Sequence, residues 1–230
     1  MPLQFPFMAK LRLTTTEKII LALVALVLAI GYFLFNTNLW RFELFVQEDG
    51  VAEWLTVLGL LLGSLVCFSR FGKLFRKRSW WFLLVTLGLG LFLFFAAGEE
   101  ISWGQRIFGI TTPEYFKEHN AQQETNLHNL IVGGVKINKL IFSTILVALL
   151  AIYLIIIPLL HEKNAAIRRF LDKSAIPVAR WYQVIGFVLV GILASLIKHD
   201  KNPELLECGG ALLFFLIVCF PKNKEVFKSN

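Results

Sequence analysis

The sequence predicts an all-α protein, a polytopic membrane bundle of about six transmembrane helices. Both termini are expected on the cytoplasmic side, with short extra helices in the segment 98–139. Three observations predict this. Charged residues make up 17% of the chain, against about 25% in soluble domains. Apolar runs of membrane-spanning length recur along all 230 residues. Lys and Arg gather in alternate connections. Twenty-two Phe, within a chain that is 57% hydrophobic and has a mean hydropathy of +0.67, would be hard to hide in one soluble core, whereas lipid tolerates them. No linker interrupts the apolar segments, so residues 1–230 read as a single membrane-embedded helical domain.

The six runs are residues 19–35, 51–68, 80–97, 140–160, 181–197 and 205–220. Each is close to the roughly 20 residues that span a bilayer. Backbone polar groups in lipid must find partners within their own segment, which makes these runs helices. The first follows Lys10, Arg12 and Lys18 and lacks a small-x-small cleavage site, so it reads as an uncleaved anchor. The third could continue to Trp103. Trp80 and Trp103 are 23 residues apart, about 34 Å at about 1.5 Å per residue, so Glu99 and Glu100 would lie about one turn inside the interface. Thr112-Pro113-Glu114 and Asn202-Pro203-Glu204 each read as a helix start. A short helix from Pro113 and a second over 122–130 are expected, and Gly133-Gly134 then breaks the chain.

Sixteen of the 23 Lys and Arg fall in residues 1–18, 70–79, 161–180 and 221–230, which are therefore expected in the cytoplasm. Twelve of the 16 acids, and His119, His128 and His199, fall on the opposite side. The positive-inside rule does not place acids, so their concentration there points to a site. The net charge of +7 is spread over short loops, and no basic stretch is interleaved with aromatics, which excludes nucleic acid as a partner. Membrane lipids are the expected partners, and no feature specifies an oligomeric state. Cys67, Cys208 and Cys219 lie in apolar stretches without CxxC spacing and read as small buried hydrophobes. Without a sorting motif, the bacterial inner membrane is the expected compartment.

The densest polar stretch is 98–106. Carboxylates at membrane depth cost free energy and tend to mark function. On a continuing helix Glu99, Ser102, Trp103 and Arg106 would share one face, with Glu100 turned about 100° away. In 119–129, Glu124 and His128 are spaced to project together from a helix, as a metal pair or an oriented acid–base pair. Asp49 and Glu204 read as N-terminal caps, His199 and Asp200 as surface residues, while Glu53 and Glu207 lie deeper in apolar surroundings. The ends of the second, third and sixth runs lie at one depth, so these acids could converge. Glu99, Glu100, Arg106 and His128 are the expected catalytic set. Gln105, Asn126 and Trp103 are the expected substrate contacts, and Glu53, Glu124, His128 and Glu207 the candidate ligands for a divalent ion such as zinc, magnesium or manganese.

The glutamic-type intramembrane CAAX-processing proteases carry EExxxR followed by FxxxH. This chain departs from both, with five residues between Glu100 and Arg106 and with Tyr115 preceding His119. No GxSxG, HExxH, P-loop or GxGxxG motif is present. The expected function is a hydrolase or transferase acting on a lipid or lipid-linked substrate at the extracytoplasmic face. The alternatives are an ion-coupled transporter or channel-like protein, or a partner-binding membrane protein without catalysis.

Overall fold

Thr14 opens the first helix by reciprocal capping: its hydroxyl accepts from the Glu17 amide, and the Glu17 carboxylate accepts from the Thr14 amide. This computed structural model describes residues 12–136 and 145–229. Helix α1 (Thr15–Thr37) is followed by a short α2 (Leu39–Val46), started by the Asn38 side chain. Next come α3 (Val51–Leu74), α4 (Trp80–Glu100, capped by Ser79) and two short helices, α5 (Gln105–Phe108) and α6 (Glu114–His119). Strands β1 (Ile131–Val132) and β2 (Val135–Lys136) form a minimal antiparallel hairpin. Its turn is Gly133-Gly134, both with positive φ, the conformation a two-residue hairpin turn requires.

The span Leu146–Lys163 consists of α7 (Leu146–Ala151), a π-helical turn (Ile152–Ile156) and α8 (Ile157–Lys163). The wider turn precedes Pro158, whose missing N–H breaks the regular ladder. Residues 140–144 of the fourth expected run lie outside the described residues. An amphipathic α9 (Ala165–Lys173) precedes α10 (Trp181–Ser195) and α11 (Asn202–Cys219).

The result is an all-α membrane bundle. Among the described residues five helices are long and apolar enough to cross a bilayer: α1, the segment containing α3, α4, Leu146–Lys163 and α11. The remaining expected span, α10, is apolar but only 15 residues long. Helix α11 is the central post, packed by α1, α3 and α10, while α4 packs on α3. Its Leu205, Leu212, Leu213, Leu216 and Ile217 are fully buried. Helices α3 and α11 approach backbone to backbone at Gly59, where an added Cβ would stand 3.1 Å from the Ala211 carbonyl carbon. The three cysteines are unbridged; Cys67 and Cys208 are buried and Cys219 partly so.

Polar groups in the middle of the bundle are satisfied within it. Thr56 and Thr86 donate to carbonyls of their own helices, and Ser64 donates to Gly90. At the end carrying Arg70 and Trp80, here the basic end, Arg70 donates to the Val218 and Cys219 carbonyls and so caps α11. There too Glu17 accepts from Arg180 and Tyr182. The opposite, acidic end carries the cap described next.

Candidate functional site

Helix α4 stops at Glu100 rather than continuing to Trp103. Ser102, Trp103 and Gly104 have φ of 46°, 56° and 76°, a left-handed turn that no helix can contain. The expected shared face of Glu99, Ser102, Trp103 and Arg106 therefore does not form. The turn folds Trp103 back over Gly98, where an added Cβ would meet its ring at 2.8 Å, and against Phe95. The indole Nε1 then donates to Glu99 Oε1 at 2.9 Å. Left-handed conformation at Ser102 and Trp103 costs on the order of 1 kcal/mol each or more. These contacts and the hydrogen bond from Ser102 to Glu124 offset it.

The expected second helix over 122–130 is also absent; the chain there is a series of turns. Buried Asn120 organises it. Its Nδ2 donates to the Asn126 carbonyl and to Asn126 Oδ1, and its Oδ1 accepts from the amides of Gln122 and Glu124. Side chains that mimic backbone partners in this way compete successfully with helix. Glu124 and His128 consequently do not project together. Glu124 lies beside Arg106 and Ser102, and His128 beside Glu99.

Arg106 is the hub of the cap. Its Nε donates to Asp49 at 2.8 Å, Nη2 to Glu53 at 2.8 Å and Nη1 to Glu124 at 2.5 Å, with Glu48 at 3.9 Å. Burial opposes its charge, but these carboxylates outweigh burial and raise its pKa further above the usual arginine value. The guanidinium expected in the catalytic set is thus engaged by the protein's own acids. Asp49 is not a cap either: Gly50 precedes α3, and the Asp49 amide donates to Glu53.

The expected substrate contacts turn inward. Gln105 donates to Thr112 at 2.5 Å and accepts from the Thr125 amide at 2.7 Å. Asn126 donates to Ser102 and Glu124. Trp103 is spent on Glu99. All three side chains serve the folded cap.

Glu99 ties that cap to the bundle. Besides Trp103 it accepts from the Leu127 amide at 2.6 Å and the His128 amide at 3.1 Å. Its Oε2 also stands 3.6 Å from His128 Nδ1, an ion-pair distance rather than a hydrogen bond. His128 Nε2 lies 2.9 Å from Asn129 Nδ2. Burial disfavours the imidazolium, but the charges of Glu99, Glu100 and Glu204 outweigh it, so His128 titrates above the usual histidine range. A histidine whose pKa rises on folding stabilises the fold fully below its unfolded value, about 6.5. That contribution fades as pH climbs through the higher folded value. The melting temperature of the wild type relative to His128→Gln is therefore expected to be greatest near about pH 6 and to shrink toward about pH 9; a flat or rising difference would contradict this electrostatic setting.

Beyond this pair lie three carboxylates at the ends of two helices. Glu100 closes α4, and Glu204 and Glu207 occupy the first turns of α11. Their charges act on one another, and those of Glu53 and His128 act on Glu100. None of the three makes an ion pair or hydrogen bond among the described residues. Glu204, read from the sequence as a cap, belongs to this group; its i, i+3 spacing from Glu207 was the available signal. The proposed metal set of Glu53, Glu124, His128 and Glu207 is distributed between the Arg106 hub and this cluster. Among the described residues no three His, Cys, Asp or Glu side chains are arranged to hold an ion. No protein-family model, curated protein or solved structure matches the chain.

Proposed function

We propose that the chain is a membrane-embedded hydrolase or transferase acting on a lipid or lipid-linked substrate, with the His128–Glu99 pair and Glu100 as its acid–base set. One observation carries this reading: an imidazole oriented by a carboxylate stands beside carboxylates that make no ion pair or hydrogen bond among the described residues. Oriented groups of this kind transfer protons to and from a reacting atom. Glu99 holds and charges the ring, so it positions His128. His128 and Glu100 face the substrate, and Glu204 and Glu207 share protons with Glu100 and set its charge. Glu53 and Glu124 are engaged by Arg106, so the proposed chemistry runs on protons and draws no ligand set from them.

Charge asymmetry supports placing the acidic end outside and both termini in the cytoplasm of a bacterial inner membrane. The apolar middle of the bundle, whose polar side chains are satisfied locally, favours an enzyme over an ion-coupled carrier, which needs a polar route across the membrane.

The test is lipid turnover. Purified protein is reconstituted in vesicles of bacterial polar lipid extract, and lipid classes are followed by mass spectrometry. Time-dependent conversion of one class is expected, slowed about 10²- to 10⁴-fold by Glu100→Gln or His128→Ala, with the melting temperature of Glu100→Gln kept near wild type. No conversion by wild type, or conversion undiminished in both variants, would remove the reading.

A further inference from the structure

Between α4 and the span Leu146–Lys163 lies a cavity of about 240 Å³. Its walls are Val85 and Leu89 on one side and Leu149 and Tyr153 on the other, with Phe214 of α11 as the floor and Pro177 toward the basic end. No charged residue lines it. The hydroxyl of Tyr153 donates to the Pro177 carbonyl at 2.6 Å, which leaves its ring on the cavity wall.

Helix periodicity connects this cavity to the carboxylate cluster. Leu89 and Glu100 are 11 residues apart on α4, about three turns, so they lie on one face, about 16 Å apart. Phe214 and Glu207 are seven residues apart on α11, about two turns, again on one face and about 10 Å apart. Two of the helices that line the cavity, α4 and α11, thus present their acids along the same seam. An apolar chamber at one end and, at the other, three carboxylates that make no ion pair or hydrogen bond among the described residues describe a ligand with two unlike ends.

We infer that this seam binds a long-chain amphipath, its hydrocarbon chain in the cavity and a positively charged amino head group among Glu100, Glu204 and Glu207. This names the substrate class of the proposed site and rests on that reading for what happens at the head group. A cation lowers the mutual repulsion of the three acids, whereas an anionic head group adds to it. The hydrocarbon end leaves one apolar environment for another, so selectivity resides in the head.

The test uses two photoreactive probes with one hexadecyl chain carrying a diazirine at its far end, one with an amine head and the other with a sulfate. Purified protein in detergent is irradiated with each, and the adducts are mapped by mass spectrometry. The amine probe is expected to label Tyr153, Leu149 or Phe214 about tenfold more than the sulfate probe. The double variant Glu204→Gln/Glu207→Gln is expected to erase that preference. Leu89→Trp, which fills the cavity, is expected to remove the adducts; Leu149→Trp, at an exposed position on the opposite wall, does the same should Leu89→Trp not fold. Equal labelling by the two probes, or labelling that survives the filling of the cavity, would overturn the inference. Cavity labelling without lipid turnover would keep this ligand and remove the catalytic reading. Glu100-dependent turnover without cavity labelling would do the reverse.

Discussion

Arg106→Ala is expected to detach the cap from the bundle while the spanning helices stay folded. The guanidinium uses all three of its nitrogens, on Asp49, Glu53 and Glu124. Glu53 and Glu124 are only 6% and 7% exposed. Removing the cation leaves two buried carboxylates facing each other, a change that costs about 3–5 kcal/mol when one partner of a buried pair is lost. Arg106 keeps some solvent contact, which puts the expected cost at about 3 kcal/mol. The cost falls on a local structure. The groups that Arg106 joins lie in the turn before α3, at the start of α3 and in the 101–130 segment, all at one end of the bundle, while α11 is buried along its length from Leu205 to Val218. Amides of residues 120–130 should therefore exchange about two orders of magnitude faster, while those of α11 change little. Arg106→Lys is not expected to restore protection, because one ammonium cannot reproduce a three-way planar fork. Arg106→Ala combined with Glu53→Gln should recover part of it, since one unpaired charge is then gone. Unchanged exchange in 120–130, or equal acceleration throughout the bundle, would show that the guanidinium does not hold the cap.

The membrane helices were legible in the sequence because their signal is composition, and lipid demands composition. Helix α10 was legible as an apolar run, but its length was not, since backbone hydrogen bonds and the Asn202 side chain on the Ile197 carbonyl turn the chain before the apolar run is over. The convergence of acids was legible as well: alternating topology brings the starts of α3 and α11 to the end of α4. The cap was misread for one reason in two places. Spacing arguments assume a helix, and the chain leaves the helix at Ser102 and never enters one at Gln122. At the first place the pairing of Trp103 with Glu99 rewards a left-handed turn. At the second the Asn120 side chain supplies backbone-like partners to a loop. Both are contacts between particular atoms, invisible to hydrophobic period. Arg106 illustrates the consequence. Its spacing suggested a helical face shared with Glu99, whereas its partners come from 57 and 53 residues before it and 18 after.

Glu99→Ala is the second large effect. This carboxylate receives three hydrogen bonds, from the Trp103 indole and from the Leu127 and His128 amides. Bonds to a charged group are worth about 1.5–3 kcal/mol each. The three are not additive here, because a cap that opens lets both amides reach water, and the expected cost is about 3–4 kcal/mol. Glu99→Gln keeps one acceptor but sets an NH₂ group against the remaining donors, so about half the loss should persist. His128 loses its nearest anion in either variant, and its titration should move down toward the usual histidine range, which nuclear magnetic resonance of the ring reads directly. Arg106→Ala should leave that titration nearer its wild-type position as long as the cap remains closed, because Arg106 makes no contact with His128. The two side chains nevertheless secure one structure from opposite sides, Arg106 to the turn before α3 and Glu99 to the end of α4. If the cap opens as a unit, the second removal has little left to release. The double variant Glu99→Ala/Arg106→Ala should then lose much less stability in 120–130 than the two single losses combined, with a coupling of about 1–3 kcal/mol. Full additivity would mean two independent local contacts, and the His128–Glu99 pair would then sit on a surface that either contact alone can hold.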